Sequence, residues 1–313
     1  MDRGVPRDGR SGASTHLRGI AGALRDEGHE VVLAGPGEAH WPRGLRTYGA
    51  RRDRMRILRD AGPCDLVWER HAWPYGAPVP GILEVNAPLA IERCEGGRHA
   101  AAERAALRAA PRLIAVSRWL ADWLTDDVGC DPARVRHVPN GTTAARGDRD
   151  TARGRLGVSG PLLGFVGSMR PWHGADRIPA LLDALGPEWT GIAAGDGPAP
   201  PADHPRLIRL GHLPEEDLPD LIAAMDVAIA PYRTSAPPWF CPLKVLAYRA
   251  QGVPVVAGDV GDCRLLVGDG GAIVDSDDVD AWAEAISAGV RIPRVRVART
   301  WRHVVRDALS LRG

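Results

Sequence analysis

Pro242-Leu243-Lys244-Val245-Leu246-Ala247-Tyr248-Arg249-Ala250-Gln251-Gly252-Val253-Pro254-Val255-Val256-Ala257 is the stretch of the 313-residue chain whose reading decides the fold. Leu243, Leu246, Ala247 and Ala250 recur at helical spacing, and Gly252 is a helix stop. Pro254 then opens an apolar run, the pattern of a strand buried on both faces in a parallel sheet. Proline at the first helical turn leaves the backbone N–H groups of Leu243 and Lys244 free to hold an anion, and Lys244 adds a charge. A plain helix start with a solvated lysine is the other reading. Against it, Lys244 is the only lysine among 40 basic residues. A composition that uses arginine everywhere else has kept one lysine here.

The same alternation extends to both sides. Strands are expected at Leu162–Val166, 190–194, 207–210, 227–230, 254–257 and 272–274, with helices at 176–185, 215–225 and 243–251. A helix with Val279, Trp282, Ala283 and Ile286 on one face follows, capped by Ser276 or Asp277, and Trp301–Leu311 adds a further amphipathic segment. Toward the start, Leu17, Ile20, Ala21 and Leu24 mark a helix over 13–28 with Gly28 as its stop. Strands follow at Glu30–Ala34, Asp65–Trp68, Gly81–Val85, Leu113–Val116 and Val135–Val138, with a helix at 118–125. Strand and helix in series imply parallel sheets. Between Gly141 and Gly160 the text turns polar and loses periodicity, which reads as a linker. We therefore expect an N-terminal Rossmann-like domain over 1–145 and a second over 146–313, whose last helix packs back on the first. A glycine-rich turn at Gly9–Gly12 should follow a strand, and Met1–Arg7 reads as none; either the true start lies upstream, or the domain is expected to begin with a polar lead-in and no first strand.

The totals narrow the function. Basic and acidic residues number 40 and 39, a net charge of +1, which provides no uniformly positive face for nucleic acid or anionic lipid. The five cysteines lie far apart without C-x-x-C spacing, which argues against a disulfide framework or a zinc site. No apolar run is long enough to span a membrane, and the first residues lack a secretion signal. A cytoplasmic protein is expected.

In an open parallel sheet, ligands bind beyond the carboxyl ends of the strands, where helix N-termini present N–H groups to anions. Four loops fit. Gly9-Arg10-Ser11-Gly12-Ala13-Ser14 lets a phosphate or sugar approach closely, or is a turn plus N-cap. In Gly167-Ser168-Met169-Arg170-Pro171-Trp172-His173-Gly174, Arg170 presents a forked donor and His173 a hydrogen bond or a charge, as a diphosphate requires; a solvent-facing loop is the alternative. Gly195-Asp196-Gly197-Pro198 closes strand 190–194, where an ordinary tight turn is also possible. The Pro242 helix start is the fourth.

In this order and spacing the loops resemble the retaining GT-B glycosyltransferases of family four, the group 1 glycosyl transferases. The landmarks are Gly-Ala-Ser with Gly28-His29-Glu30-Val31, Ile114-Ala115-Val116-Ser117, Val138-Pro139-Asn140-Gly141, Phe165-Val166-Gly167-Ser168, Gly195-Asp196-Gly197-Pro198, Asp226-Val227-Ala228 and Gly252-Val253-Pro254-Val255-Val256-Ala257. The resemblance implies an α/β fold of two Rossmann-like domains facing across a cleft. It also implies a nucleotide-sugar donor on the C-terminal domain, an acceptor held mainly by the N-terminal one, and transfer with retained configuration. No metal and no cofactor are implied, since the nucleotide sugar is a substrate. Matched to the family pattern, Arg170 and His173 fall in the diphosphate loop and Gly12 in the flexible glycine loop. Gly195, Asp196, Gly197, Pro242, Leu243 and Lys244 complete the donor side. Asn86, in Glu84-Val85-Asn86-Ala87-Pro88, matches the strand end facing the reacting carbon. Glu69 and His71 are acceptor-side residues, with a buried charge pair to Arg70 as the other role for Glu69.

Two positions depart from the family pattern. Its C-terminal signature carries two glutamates eight positions apart, the second of which grips the donor ribose. Aligned on the Pro-Leu-Lys helix, Trp239 and Ala247 stand there. Trp239 either stacks on a sugar or base or packs among its neighbours. Three functions therefore stay open: sugar transfer to an acceptor the sequence does not identify, a catalytically degenerate nucleotide-sugar-binding or partner protein, and a nucleotide-sugar epimerase. Asp275-Ser276-Asp277 and Asp148-Arg149-Asp150 mimic a metal-binding triplet, but a helix cap and a linker are their expected contexts. The oligomeric state is not readable.

Overall fold

The computed structural model describes residues 9, 12–33, 59, 62–70, 81–92 and 97–310. They divide into two compact units. One takes the described residues up to Asn140, together with Trp239–Cys241 and the chain from Trp301 onward; the other takes Gly141–Pro238 and Pro242–Thr300.

The first unit opens with α1 (Gly12–Asp26), which buries Ser14, His16, Ile20, Ala21 and Ala23. The N–H groups of Gly28 and His29 bond back to Arg25 and Leu24 at 2.9 and 3.1 Å, and Gly28 has φ +88°. This left-handed stop is one that glycine adopts without strain. The strand expected at Glu30–Ala34 does not form over Glu30–Leu33, where the residues are half or fully exposed. Ala34 lies outside the described residues.

β1 (Val67–Arg70), β2 (Gly81–Val85), β3 (Leu113–Ala115) and β4 (Val135–His137) make a parallel sheet in the order β1-β2-β3-β4. α2 (Leu89–Glu92), α3 (Arg98–Ala109) and α4 (Arg118–Asp122) connect them, and α4 continues into a π-helical turn over Trp123–Asp127. Ser117 caps α4 by accepting the Leu120 N–H at 3.2 Å.

The second unit contains α5 (Arg149–Leu156), β5 (Leu162–Val166), α6 (Ile178–Leu185), β6 (Thr190–Ala194), β7 (Leu207–Gly211), α7 (Leu218–Ala224), β8 (Val227–Ala230), α8 (Leu243–Ala250), β9 (Val255–Gly258), α9 (Cys263–Val267), β10 (Gly271–Val274) and α10 (Val279–Gly289). The sheet order is β10-β9-β8-β5-β6-β7, parallel throughout. This is the doubly wound Rossmann order, and its topological switch point lies between β5 and β8. Leu163, Phe165, Ala193, Val227, Ile229 and Val256 from the strands and Leu181, Leu182, Trp282 and Ile286 from α6 and α10 form its core.

Two expectations need correction here. The polar stretch read as a linker contains α5. Asp148 caps it, accepting the Thr151 N–H at 3.0 Å, and Arg149 and Arg153 hold Asp226 at 2.5 and 2.9 Å. The helix is fastened by charge-assisted bonds rather than an apolar stripe, so its periodicity is hidden. The cap of α10 is Asp278, which accepts the Asp280 N–H at 3.1 Å. Asp277 instead faces Arg177 at 3.3 Å, and the Ser276 carbonyl accepts the Trp282 indole N–H at 2.8 Å.

The last helix, α11 (Trp301–Leu309), belongs to the first unit. Val304, Val305 and Ala308 join Ile20, Ala23, Ile82, Ile114 and Val138 in its core. Trp301 lies over Gly19, where an added Cβ would fall 2.3 Å from the indole. The absent side chain is what admits the ring.

Candidate functional site

In the second unit, β5 and β8 diverge at their carboxyl ends, and the chain leaving β5 is the loop Gly167–Gly174. It is tied to the turn after β6. The Gly167 N–H bonds Ala194 O at 2.9 Å, the Met169 N–H bonds Asp196 O at 2.9 Å, and the Ala199 N–H bonds Met169 O at 2.8 Å. The fit needs glycine. Gly195 has φ +128°, and a Cβ there would lie 2.0 Å from Gly167 O; at Gly197 it would meet the Met169 backbone at 2.6 Å. Arg170, Gly195, Asp196 and Gly197 are thereby held in one loop pair, with Arg170 exposed.

His173 is buried beneath this loop. Its Nδ1 faces the Ser168 carbonyl, so that nitrogen carries the proton. Its ring meets Trp172 edge-on at 4.0 Å and Tyr232 at 5.5 Å. Burial first, and the Lys244 and Arg170 charges next, push its pKa down to about 3. His173 is thus a neutral donor to Ser168, and it does not supply the charge that was one of its two expected roles.

The charge comes from α8. Pro242 is its N-cap residue, and the Val245 N–H bonds Pro242 O at 3.1 Å. The N–H groups of Leu243 and Lys244 belong to the first turn, which has no intrahelical acceptors. Lys244 as a residue is half-buried, but its Nζ is enclosed and has no hydrogen-bond partner among the described residues. It lies 3.9 Å from the centroid of the Phe165 ring and 5.1 Å from that of Tyr232. A Cβ on Gly167 would come within 3.3 Å of it. Burial pushes its pKa down to about 7. Phe165 is the penultimate residue of β5 and Tyr232 follows β8, so the ammonium group sits at the switch point. Sequence reasoning marked Lys244 by its uniqueness and missed both rings, which carry no signal before the strands are placed.

Trp239 belongs to the first unit, its ring lies 5.7 Å from that of Trp119, and its carbonyl accepts the Ser117 hydroxyl at 2.9 Å. Of its two expected roles, the structure provides packing. Ala247 lies half-buried on α8.

In the first unit, Asn86 follows β2 and is fixed from two sides. Its Nδ2 donates to Glu84 at 2.5 Å, and its Oδ1 accepts from Arg70 Nε at 3.2 Å. Glu84 also accepts the Trp68 indole N–H at 2.9 Å. His16 Nε2 lies 2.8 Å from Glu84, an ion-pair distance. Burial alone would raise the Glu84 carboxyl; His16, Arg70 and Asn86 outweigh it and hold the pKa at about 2. This network of His16, Arg70 and Glu84 was missed by the sequence reading, which assigned Arg70 only to Glu69. Glu69 is buried on β1, and Gly12 is the exposed first residue of α1. His71 and, in the Gly9–Gly12 turn, Arg10 and Ser11 lie outside the described residues. Among the described residues no three His, Cys, Asp or Glu side chains are grouped to hold a metal ion, and no helix is long and apolar enough to cross a membrane.

Residues 160–290 match the family described as glycosyl transferases group 1, and residues 10–146 match glycosyltransferase family 4. A D-inositol 3-phosphate glycosyltransferase of Salinispora tropica is 30% identical over 344 aligned residues, covering 90% of this chain and 70% of that protein. This chain belongs to glycosyltransferase family 4. The protein of the same name from Geodermatophilus obscurus is 33% identical over 65% of this chain and 51% of its own length. The chain thus spans about half the length of that relative, and 41% of the Mycolicibacterium paratuberculosis one. Among solved structures, sucrose-phosphate synthase from Thermosynechococcus elongatus superposes with a TM-score of 0.69 at 17% identity, covering 95% of this chain and 89% of that one. Anabaena HepE, solved with UDP-glucose, gives 0.68 at 17% identity over 99% and 95%. The fold is the GT-B fold.

Proposed function

We propose that this family 4 protein transfers a sugar from a nucleotide-sugar donor to a hydroxyl acceptor, without a metal and with retention of anomeric configuration. The observation that carries the donor half is the Lys244 amine, enclosed and unpartnered at the switch point of the second unit. Burying a cation without a partner is costly, and an incoming diphosphate provides the missing one. Arg170 and the free N–H groups at the start of α8 add donors for the same oxygens. Together they stabilise charge on the departing diphosphate, which is electrostatic catalysis at the leaving group. Family membership and a fold shared with a protein solved with UDP-glucose support this reading.

On the acceptor side we assign Asn86 to the reacting sugar and Glu69 and His71 to the acceptor. Asn86 is suited to a positioning role because Glu84 and Arg70 fix both ends of its amide. Relatives are named for D-inositol 3-phosphate, so inositol phosphates head the acceptors to test, followed by other small polyols and glycans.

A second reading, a degenerate protein that binds donor without turnover, is favoured by Ala247, which offers no carboxylate to the donor ribose. Incubating the protein with UDP-, GDP- and dTDP-sugars, with and without polyols, separates the two. Transfer or donor hydrolysis by the native chain supports the enzyme. Binding without turnover, partly restored in Ala247→Glu, supports the degenerate form. Binding of none of them contradicts both.

A further inference from the structure

Resting on the donor reading above, we propose that Lys244 gains its proton together with the ligand: the empty site leaves the enclosed Nζ without a partner, and entry of a diphosphate group draws a proton from solvent onto it.

The argument starts from what surrounds the nitrogen. Phe165 and Tyr232 present ring faces at 3.9 and 5.1 Å, which favour a cation only weakly compared with a carboxylate. The titratable groups that touch or act on it are His173 on the loop, Cys263 on α9 and the Tyr232 ring. None is an anion near neutral pH. His173 is neutral, with burial foremost and the Lys244 charge next among the causes. Burial pushes the Cys263 thiol up to about 12 and raises the Tyr248 phenol. The Tyr248 hydroxyl is already engaged, accepting the Val166 N–H at 2.7 Å. The carboxylates of Asp259 and Asp262 add to the rise of the Cys263 thiol, which keeps that neighbour of the lysine neutral. A group in this setting, with a pKa near 7, gives up its proton at modest cost.

A diphosphate reverses the balance. It brings two negative charges to Nζ, which lies beside Gly167, 3.3 Å from the place a Cβ there would take. An opposite charge within a few ångströms raises the pKa of an ammonium group. The Lys244 pKa in the complex therefore exceeds that in the empty protein, and by linkage the ligand affinity falls as pH rises through the lower of the two. With about 7 for the empty protein and the amine fully protonated in the complex over the range used, the dissociation constant increases about thirtyfold from about pH 6 to 8.5. The consequence is a donor site that does not hold a fixed buried charge when vacant and builds one only against its ligand.

The chain makes this measurable, because its single lysine gives a single Cε signal when lysine is supplied with 13C at that carbon. The signal is titrated in the full chain, alone and saturated with whichever of UDP-, GDP- or dTDP-glucose binds; their diphosphate diesters keep a constant charge over the range used. The expected result is a midpoint near 7 in the empty protein, moved up by more than one pH unit in the complex. Calorimetry in buffers of different ionisation enthalpy should show proton uptake at about pH 8, and Lys244→Met should abolish both that uptake and the pH dependence of binding. Donor binding with a lysine midpoint near that of a free lysine, or with no change of midpoint, overturns this proposal and leaves the donor reading standing. Failure of every donor to bind at either end of the pH range overturns the donor reading and this proposal with it.

Discussion

Glu84 is the residue on which the first unit's polar interior turns. It joins His16, Arg70, Trp68 and Asn86, and its carboxylate holds them in one arrangement. Removing its charge leaves the other members buried and uncompensated, which costs far more than the pair contributes. We expect Glu84→Gln to lower the stability of this unit by about 3–5 kcal/mol, read by chemical denaturation. The sign of its pH dependence follows from the depressed pKa. The contribution is complete above the unfolded carboxyl range and is lost as pH falls toward about 2, so native and Glu84→Gln proteins should converge in stability in acid. At this scale the sequence was informative in one way only. Lys244 was conspicuous as a lone lysine, but its isolation depends on Phe165 on β5 and Tyr232 just after β8. His16 likewise gave no sign of pairing with a glutamate 68 positions away, because such pairing is a property of the folded chain.

The elements were largely legible where apolar periodicity made them. β5, β6 and β8 form over the expected residues, and α8 differs from expectation only at its last residue, because proline and glycine punctuate buried runs. α5 was missed since arginines fasten it to Asp226, and the segment at Glu30–Leu33 was read as a strand from its residues alone, whereas pairing decides. The loop pair after β5 and β6 carries its own prediction. Gly195→Ala introduces a Cβ 2.0 Å from Gly167 O at φ +128°, so the two loops must part. The expected outcome is a loss of at least ~2 kcal/mol in stability with donor binding reduced more than stability alone explains, because Met169 and Asp196 lose their mutual register. Retention of full donor affinity in a folded Gly195→Ala protein would contradict the placement of the donor site there.

For the whole molecule, the chain's two units are not sequence halves. The last helix, α11, completes the core of the first unit after the chain has passed through the second. Deleting residues from Trp301 onward should destabilise the first unit by roughly 3 kcal/mol or more, through the apolar area it uncovers, while amides of β5, β8 and β9 keep their protection in hydrogen exchange. Equal loss of protection in both units would contradict this division. The central claim is that the second unit holds a nucleotide-sugar donor by its diphosphate at Lys244. It is tested most directly by titrating the native chain and Lys244→Met with UDP-, GDP- and dTDP-glucose by calorimetry near pH 6.5. The account predicts that at least one donor binds the native chain and that the variant, with its fold intact, binds it ~10-fold to 100-fold more weakly, as the loss of a charge-assisted bond implies. Equal affinity for the two proteins, or no binding to either, would contradict it.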